Sequence, residues 1–305
     1  MSNTVEPTVD SQSVLDEGSF INEDKHTILD QAAWVIDGTS GFAERKLTDH
    51  PETDGVWFVE RVDAYLNDHI FDDQSLTRVV EDAITHVVSE LEEEMSQRIG
   101  SDLDELAAHK SISMHEFPAA TIAIARWNRK TVEYYSLGDS SIIIRTDDDI
   151  HHYNQEGPQR FDAVLEDHIA EYLSDNPKAN IDEIREHARP HIRESRKHRE
   201  VPGGFWCLGI NPLSATHAVT GEFPKQSVSS AYLFTDGFLS IVEKFEIFED
   251  WTAVADYIDE YGLQDVLDRL RTIQNQDESV LEYPRLKPMD DVAIIRLCFD
   301  TENQH

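Results

Sequence analysis

The order in which apolar patterns succeed one another is the tightest constraint on this chain. Two short strand-like runs, "HTILD" and "AAWVID", come first. Two helical stripes follow: Val59, Val62, Leu66 and Ile70, then Leu76, Val79, Val80, Ile84, Val87, Val88, Leu91 and Met95. Apolar residues three and four apart share one face of a helix, so both stripes read as faces packed on a sheet. Next come "ATIAIARW", "TVEYYSLG", "SSIIIRTD" and "DIHHY", rich in β-branched and aromatic residues and parted by turn residues such as Asn128 and Gly138-Asp139. They predict an antiparallel meander. After Pro202-Gly203-Gly204, the runs "GFWCLGI", "THAVTGEF" and "SSAYLFTDG" read as further strands. "WTAVADYIDEYG" and "LQDVLDRLRTIQNQ" read as helices, and "DDVAIIRLCF" as a buried strand. Elements grouped by type, rather than alternating, predict an α+β fold of antiparallel sheets covered by helices.

Residues 1–16 are polar and lack periodicity, which predicts a frayed tail. The rest, 17–305, reads as a single domain. A charged helical insertion around 159–199 is interrupted by Pro177 and Pro190; it is either a mobile cover over a site or a solvated excursion. The charge balance narrows the partners. With 61 Asp+Glu against 26 Lys+Arg, a formal net charge of -35 repels phosphate backbones and anionic lipid, so neither nucleic acid nor a membrane is expected. Self-repulsion of this size is relieved by salt, which points to a halophilic-type acidic surface in a high-salt interior. Cys207 and Cys298 each sit in an apolar run and read as free thiols in a reducing, cytoplasmic setting.

A recurring grammar carries the chemistry. At Asp37-Gly38, Gly138-Asp139, Asp236-Gly237 and Asp290-Asp291, a strand meets an Asp beside a Gly or a second Asp, and Glu23-Asp24 precedes the first strand. One such pair is an ordinary turn. Several carboxylates converging on one cleft would need cations among them, because an uncompensated buried carboxylate costs several kcal/mol or takes up a proton. An all-oxygen set suits Mg²⁺ or Mn²⁺, and no Cys/His cluster favours zinc. His151 and His152 are neighbours whose side chains point to opposite faces of a strand, so they read as ordinary strand residues.

In order, "NED" at Asn22–Asp24, "VIDG", "PAAT" at Pro118–Thr121, "LGDS" at Leu137–Ser140, "FTDG" at Phe234–Gly237 and "DDVAIIRL" resemble the metal-dependent protein phosphatases of type 2C, over about Phe20 to Phe299. The stretch "GGFWCLGINPLSATHAV" is similar to the prokaryotic branch of that family. The resemblance implies a four-layer α-β-β-α sandwich of two antiparallel sheets flanked by helices. It implies a phosphoserine/phosphothreonine protein phosphatase acting in signalling on a phosphorylated protein, with two or three divalent cations, Mg²⁺ or Mn²⁺. By position, Asp37, Asp236 and Asp290 would hold the catalytic pair and the Gly38 carbonyl would face it. Glu23 would bind a metal or hold its waters, with Asp24 in support, and Asp139 would belong to a third site. Water activated by the metals would be the nucleophile, in keeping with the lack of a Ser or Cys nucleophile motif.

The chain departs from the family in three places. Thr39-Ser40-Gly41 stands where many members have a His, the usual acid for the leaving group, and then two glycines. Ser19 stands where many carry a phosphate-binding Arg; Arg45 or Lys46 would substitute, unless the pair is simply solvated. Asp291 stands where many relatives have Asn. These gaps keep open a weakly active or inactive phosphatase-like metal-binding module that recognises a signalling partner.

Overall fold

The computed structural model describes residues 9–41, 46–99, 116–155 and 157–299. The strands are β1 (Val9–Asp16), β2 (Asp24–Ile28), β3 (Ala32–Thr39), β4 (Ala119–Trp127), β5 (Thr131–Leu137), β6 (Ser141–Thr146), β7 (Ile150–Tyr153), β8 (Val219–Pro224), β9 (Val228–Phe234) and β10 (Val292–Phe299). The helices are α1 (Asp54–His69), α2 (Leu76–Ile99), α3 (Gly157–Asp175), α4 (Ile181–Arg196), α5 (Asp236–Glu243), α6 (Trp251–Tyr261) and α7 (Leu263–Gln276). One antiparallel sheet runs β2-β3-β4-β5-β8 and the other β1-β10-β9-β6-β7.

Period-two alternation divides the core into layers. From β3, Ala33 and Val35 meet Ile142, Leu233 and Ile295 between the sheets. Trp34 and Ile36 point the other way, into Phe58, Val62, Val80 and Ile84 of α1 and α2. Burial on both faces is why β3 reads as a continuous apolar run. The outer face of the second sheet carries Tyr232, Phe234 and Ile294 against Val254, Ile258, Val266 and Leu270 of α6 and α7. Each such side chain, fully buried, contributes about 1.5–3 kcal/mol. The layers are therefore helix, sheet, sheet, helix, the expected sandwich. Asp63 of α1 ties its layer to the sheet: it accepts from Trp34 Nε1 at 2.9 Å and from Thr27 Oγ1 at 2.6 Å.

Four expectations need correction. Residues 9–16 are not a frayed tail: they form edge strand β1, paired with β10 from Val9↔Phe299 to Asp16↔Val292. The meander is not continuous, because β5 and β6 lie in different sheets. Gly138 makes the crossing at φ +86°, a conformation that favours glycine, and any Cβ there would come within 2.4 Å of Thr121. "GFWCLGI" forms only the isolated bridges Ala120↔Leu208 and Arg199↔Phe205, not a strand. Pro190 does not interrupt the insertion, since α4 runs through it, whereas Pro177 falls between α3 and α4.

Candidate active site

The carboxylate motifs meet where the ends of β3 and β5 face the starts of α5 and β10. Glu23, Asp37, Gly38, Asp139, Asp236 and Asp290 all line one cavity of about 750 Å³. Asp37 is the Cα partner of Asp24 on β2 and of Thr121 on β4, so the sheet register fixes it between two neighbours. Asp236 opens α5 directly after β9, Asp139 sits at the crossing between sheets, and Asp290 precedes β10.

Hydrogen bonds stitch these ends together. Asp24 lies behind the cavity wall, where its Oδ2 accepts from Thr235 Oγ1 at 2.6 Å; the same hydroxyl accepts from Ala293 N at 2.9 Å. That places the residue before Asp236 under the control of β2 and β10 at once. Asp291 accepts from Gly18 N at 2.8 Å and from Glu23 N at 3.3 Å, binding the N-terminal segment to the loop before β10. Gly38 N donates to the Glu23 carbonyl at 3.1 Å. A Cβ on Gly38 would lie 2.6 Å from Val59 Cγ2 and 2.7 Å from that carbonyl. Glycine is needed here for the packing of β3 on α1 and on residue 23.

Glu23 is held differently from the aspartates. Its Oε1 accepts from Ser40 Oγ and Thr53 Oγ1, both at 2.5 Å, and its Oε2 from Ser40 N at 3.2 Å. Thr53 is the N-cap of α1, so the carboxylate also sits at the positive end of a helix.

The aspartates repel one another. Withdrawal from water pushes Asp37 well above the ordinary carboxylate range, and the charges of Asp236, Asp24, Asp139 and Asp290 push it further. Burial does the same to Asp236, with Asp290 and Asp139 adding to it. Asp139 is raised chiefly by burial, and its buried Oδ1 has no hydrogen-bond partner. Lys287 offsets part of the charge: its Nζ lies 2.5 Å from Asp290 Oδ1 and 3.9 Å from Asp291 Oδ2. From α3, Asp162 adds another carboxylate, raised to about 7 by burial and then by Asp139 and Glu166. Among the described residues, no three His, Cys, Asp or Glu side chains close into a metal shell. The donor set nevertheless suits a hard divalent cation: oxygen ligands in excess of nearby positive charge, one of them orphaned.

The insertion forms the opposite wall. Pro158, Phe161 and Asp162 of α3 and Asp182, Arg185 and Arg196 of α4 line the same cavity. Arg196 Nη2 donates to Thr39 Oγ1 and its Nη1 to the Ser40 carbonyl, each at 2.5 Å. Neither Arg196 nor Lys287 was singled out from sequence. The available signal was arginine recurring at helical spacing (Arg185, Arg189, Arg196) in a strongly acidic chain. Arg45 lies outside the described residues. Lys46 donates to the carbonyls of His50 at 2.8 Å and Pro51 at 3.2 Å on an exposed loop. Ser19 is engaged in both directions with Met289: its N donates to the Met289 carbonyl and its Oγ accepts from Met289 N, both at 2.9 Å.

The model of the family described as protein phosphatase 2C matches residues 16–271. The chain belongs to the protein phosphatase 2C family. Solved structures agree on the fold. The Mycobacterium tuberculosis serine/threonine phosphatase PstP/Ppp superposes with a TM-score of 0.53 at 14% identity, covering 96% of this chain and 99% of that one. The catalytic domain of PstP in complex with two manganese ions gives 0.52 at 14% identity, over 96% and 99%. PppA of Pseudomonas aeruginosa, described as a regulatory component of T6SS, gives 0.51 at 12% identity, over 96% and 98%. Among curated protein sequences none matches the chain.

Proposed function

We propose that this phosphatase 2C family member is a Mg²⁺- or Mn²⁺-dependent phosphoserine/phosphothreonine protein phosphatase. One observation carries the reading: aspartates from four separate strand ends converge on one cavity and repel one another there. Membership of the family, and the two manganese ions in the PstP catalytic domain, support divalent cations as the missing positive charge. Asp37, Asp236 and Asp290 would hold two cations, with the Gly38 carbonyl facing them, and Asp139 a third. When bound, such cations lower the pKa of water and offset the charge of a phosphoryl group under attack.

The chain's own residues supply position. β3 fixes Asp37 by pairing on both sides, and Thr235, gripped by Asp24 and Ala293, fixes the start of α5 and so Asp236. Glu23, its carboxylate engaged by Ser40 and Thr53, fits the role of orienting water better than that of direct ligand. Cys207 lines the cavity but is no nucleophile: burial pushes its thiol up to about 12, so it stays protonated at neutral pH. The acidic surface makes nucleic acid an unsuitable substrate, and membership of the protein phosphatase 2C family supports a phosphorylated protein as the substrate class. Among the described residues no helix is long and apolar enough to cross a membrane. A cytoplasmic place in signalling belongs to the same proposal.

A second reading has its own support. Thr39 and Ser40 are occupied by Arg196 and Glu23, and Ser19 by Met289, at the two positions where many relatives carry the acid and the phosphate-binding arginine. That favours a weakly active module that binds a signalling partner. Turnover of p-nitrophenyl phosphate with Mn²⁺ in molar KCl, for wild type and Asp37→Asn, separates the two. A Mn²⁺-dependent rate abolished by Asp37→Asn supports the phosphatase. No Mn²⁺-dependent rate in the wild type supports the module, and a rate indifferent to Asp37→Asn refutes the assigned site.

A further inference from the structure

We propose that Arg196 is the residue of this chain that binds the substrate's phosphoryl group, an anion site carried by the helical insertion instead of the N-terminal segment. The inference rests on the phosphatase reading for its substrate and on the geometry of α4 for its location.

Arg196 ends α4 and lines the cavity that Asp37, Asp139, Asp236 and Asp290 line from the other side. Its guanidinium holds Thr39 Oγ1 and the Ser40 carbonyl, which belong to the two residues directly after Asp37-Gly38. It is thereby placed at the edge of the carboxylate cluster by contacts 156 and 157 residues distant in sequence. Both of these acceptors are neutral. A phosphoryl oxygen is a charged acceptor, and a planar guanidinium fork can meet two such oxygens at once.

The electrostatics of the wall point the same way. Burial, together with the charge of Arg199, weakens Arg196's hold on its proton to about 9, with Glu23 opposing. It is still charged at neutral pH and faces the cavity, where a dianionic phosphoryl group would be a charged acceptor for it. Arg185, Arg189 and Arg199 line the same cavity beside Asp162, Asp182 and Glu186 of the insertion, so this wall carries positive charge opposite the carboxylates of the sheet ends. Ser19 brings no positive charge to such a role, and its Oγ accepts from Met289 N.

The competing account makes Arg196 only a strut for the Thr39–Ser40 turn. Inorganic phosphate binding in Mg²⁺ and molar KCl, followed by titration calorimetry, separates the two without turnover. The variants are Arg196→Ala, Arg196→Lys and Thr39→Val; the last removes an acceptor of the strut and keeps the guanidinium. Arg196→Ala should weaken phosphate at least about tenfold, the value of one charge-assisted hydrogen bond, and raise the p-nitrophenyl phosphate KM in parallel. Arg196→Lys should recover part of the loss, and Thr39→Val should stay within about twofold of wild type by the same reasoning. If Arg196→Ala fails to fold, Arg196→Lys against Arg196→Gln carries the comparison.

Phosphate affinity unchanged in Arg196→Ala, an equal loss in Thr39→Val, or no phosphate binding by the wild type overturns the proposal. A wild type that binds phosphate through Arg196 but turns nothing over retracts the phosphatase reading and leaves the anion site standing. Turnover with a KM indifferent to Arg196 does the reverse.

Discussion

Asp24→Asn should stabilise the protein at pH 8 in the presence of chelator, although it removes a carboxylate that is hydrogen-bonded in the fold. Asp24 is 9% exposed, and burial, followed by the charges of Asp290 and Asp291, carries its carboxyl from 3.8 to about 7 against the pull of Thr235 and Lys287. A folded pKa above the unfolded one means that the folded chain binds more protons. Stability is then fully present below about pH 4 and is lost as pH rises through about 7. A displacement of that size amounts to about 4 kcal/mol at pH 8, of which about 2–3 kcal/mol is lost between pH 5 and pH 8. Asparagine keeps an oxygen to accept from Thr235 Oγ1 and never ionises. With an unfolding entropy of about 2.1 cal/mol/K per residue, the gain of the variant over wild type should grow by about 4 °C in Tm from pH 5 to pH 8. Asp37, Asp139 and Asp236 are raised too and tilt the wild-type profile the same way. Asp277 is lowered, with an opposite tilt that falls below about pH 4. Thermal melts at both pH values in molar KCl decide the matter. A variant that loses the same stability at pH 5 as at pH 8 shows that the Thr235 contact, not charge crowding, dominates Asp24, and refutes the reasoning.

Gly38→Ala should cost about 1–3 kcal/mol through the clash with Val59, and Val59→Ala should restore part of it, both read from chemical denaturation. Arg285→Leu should cost about 3–5 kcal/mol, because it strands the buried Asp277 that Arg285 meets at 2.6 Å and loosens the loop carrying Lys287; Tm and Mn²⁺-dependent turnover should fall together. Wild-type Tm should rise from low to molar KCl as screening relieves the net charge of -35, and equal melts would remove the case for a high-salt setting.

What was readable in the sequence follows from the reach of each interaction. The core of β3 was readable because a strand covered on both faces shows an unbroken apolar run, and α2 because its stripe holds one period over 24 residues. β1 was missed because only Val9, Val14 and Asp16 of its eight residues escape full exposure, as befits an edge strand, so no clean alternation marks it. The switch of sheets at Gly138 left no trace because inward and outward alternation is the same in either sheet. "GFWCLGI" misled because its apolar residues are anchored one at a time, by single bridges and by packing, without a ladder. Arg196 was invisible for a different reason: its partners follow Asp37, and nothing local to α4 announces them.

Two kinds of carboxylate emerge, and they are told apart by what acts on them, not by their motif. Glu23, Asp24 and Asp291 accept hydrogen bonds from hydroxyls and backbone amides and so fasten chain segments to one another. Asp37 and Asp236 are acted on mainly by burial and by neighbouring negative charge. In the first kind the donors offset part of the loss of water; at Asp24 and Asp291 burial still raises the carboxyl, so there the hydrogen bonds reduce the cost without cancelling it. The second kind costs stability, and the cost is borne because the first kind holds the strand ends too firmly to spread. In sequence both kinds look alike, an Asp or Glu beside a strand, and adjacent members of one motif divide between them: Asp290 pairs with Lys287 at the cavity while Asp291 clamps Gly18. In chelator at neutral pH, substitution by Asn should gain more stability at Asp37 than at Asp291, where it weakens the hydrogen bonds from Gly18 N and Glu23 N.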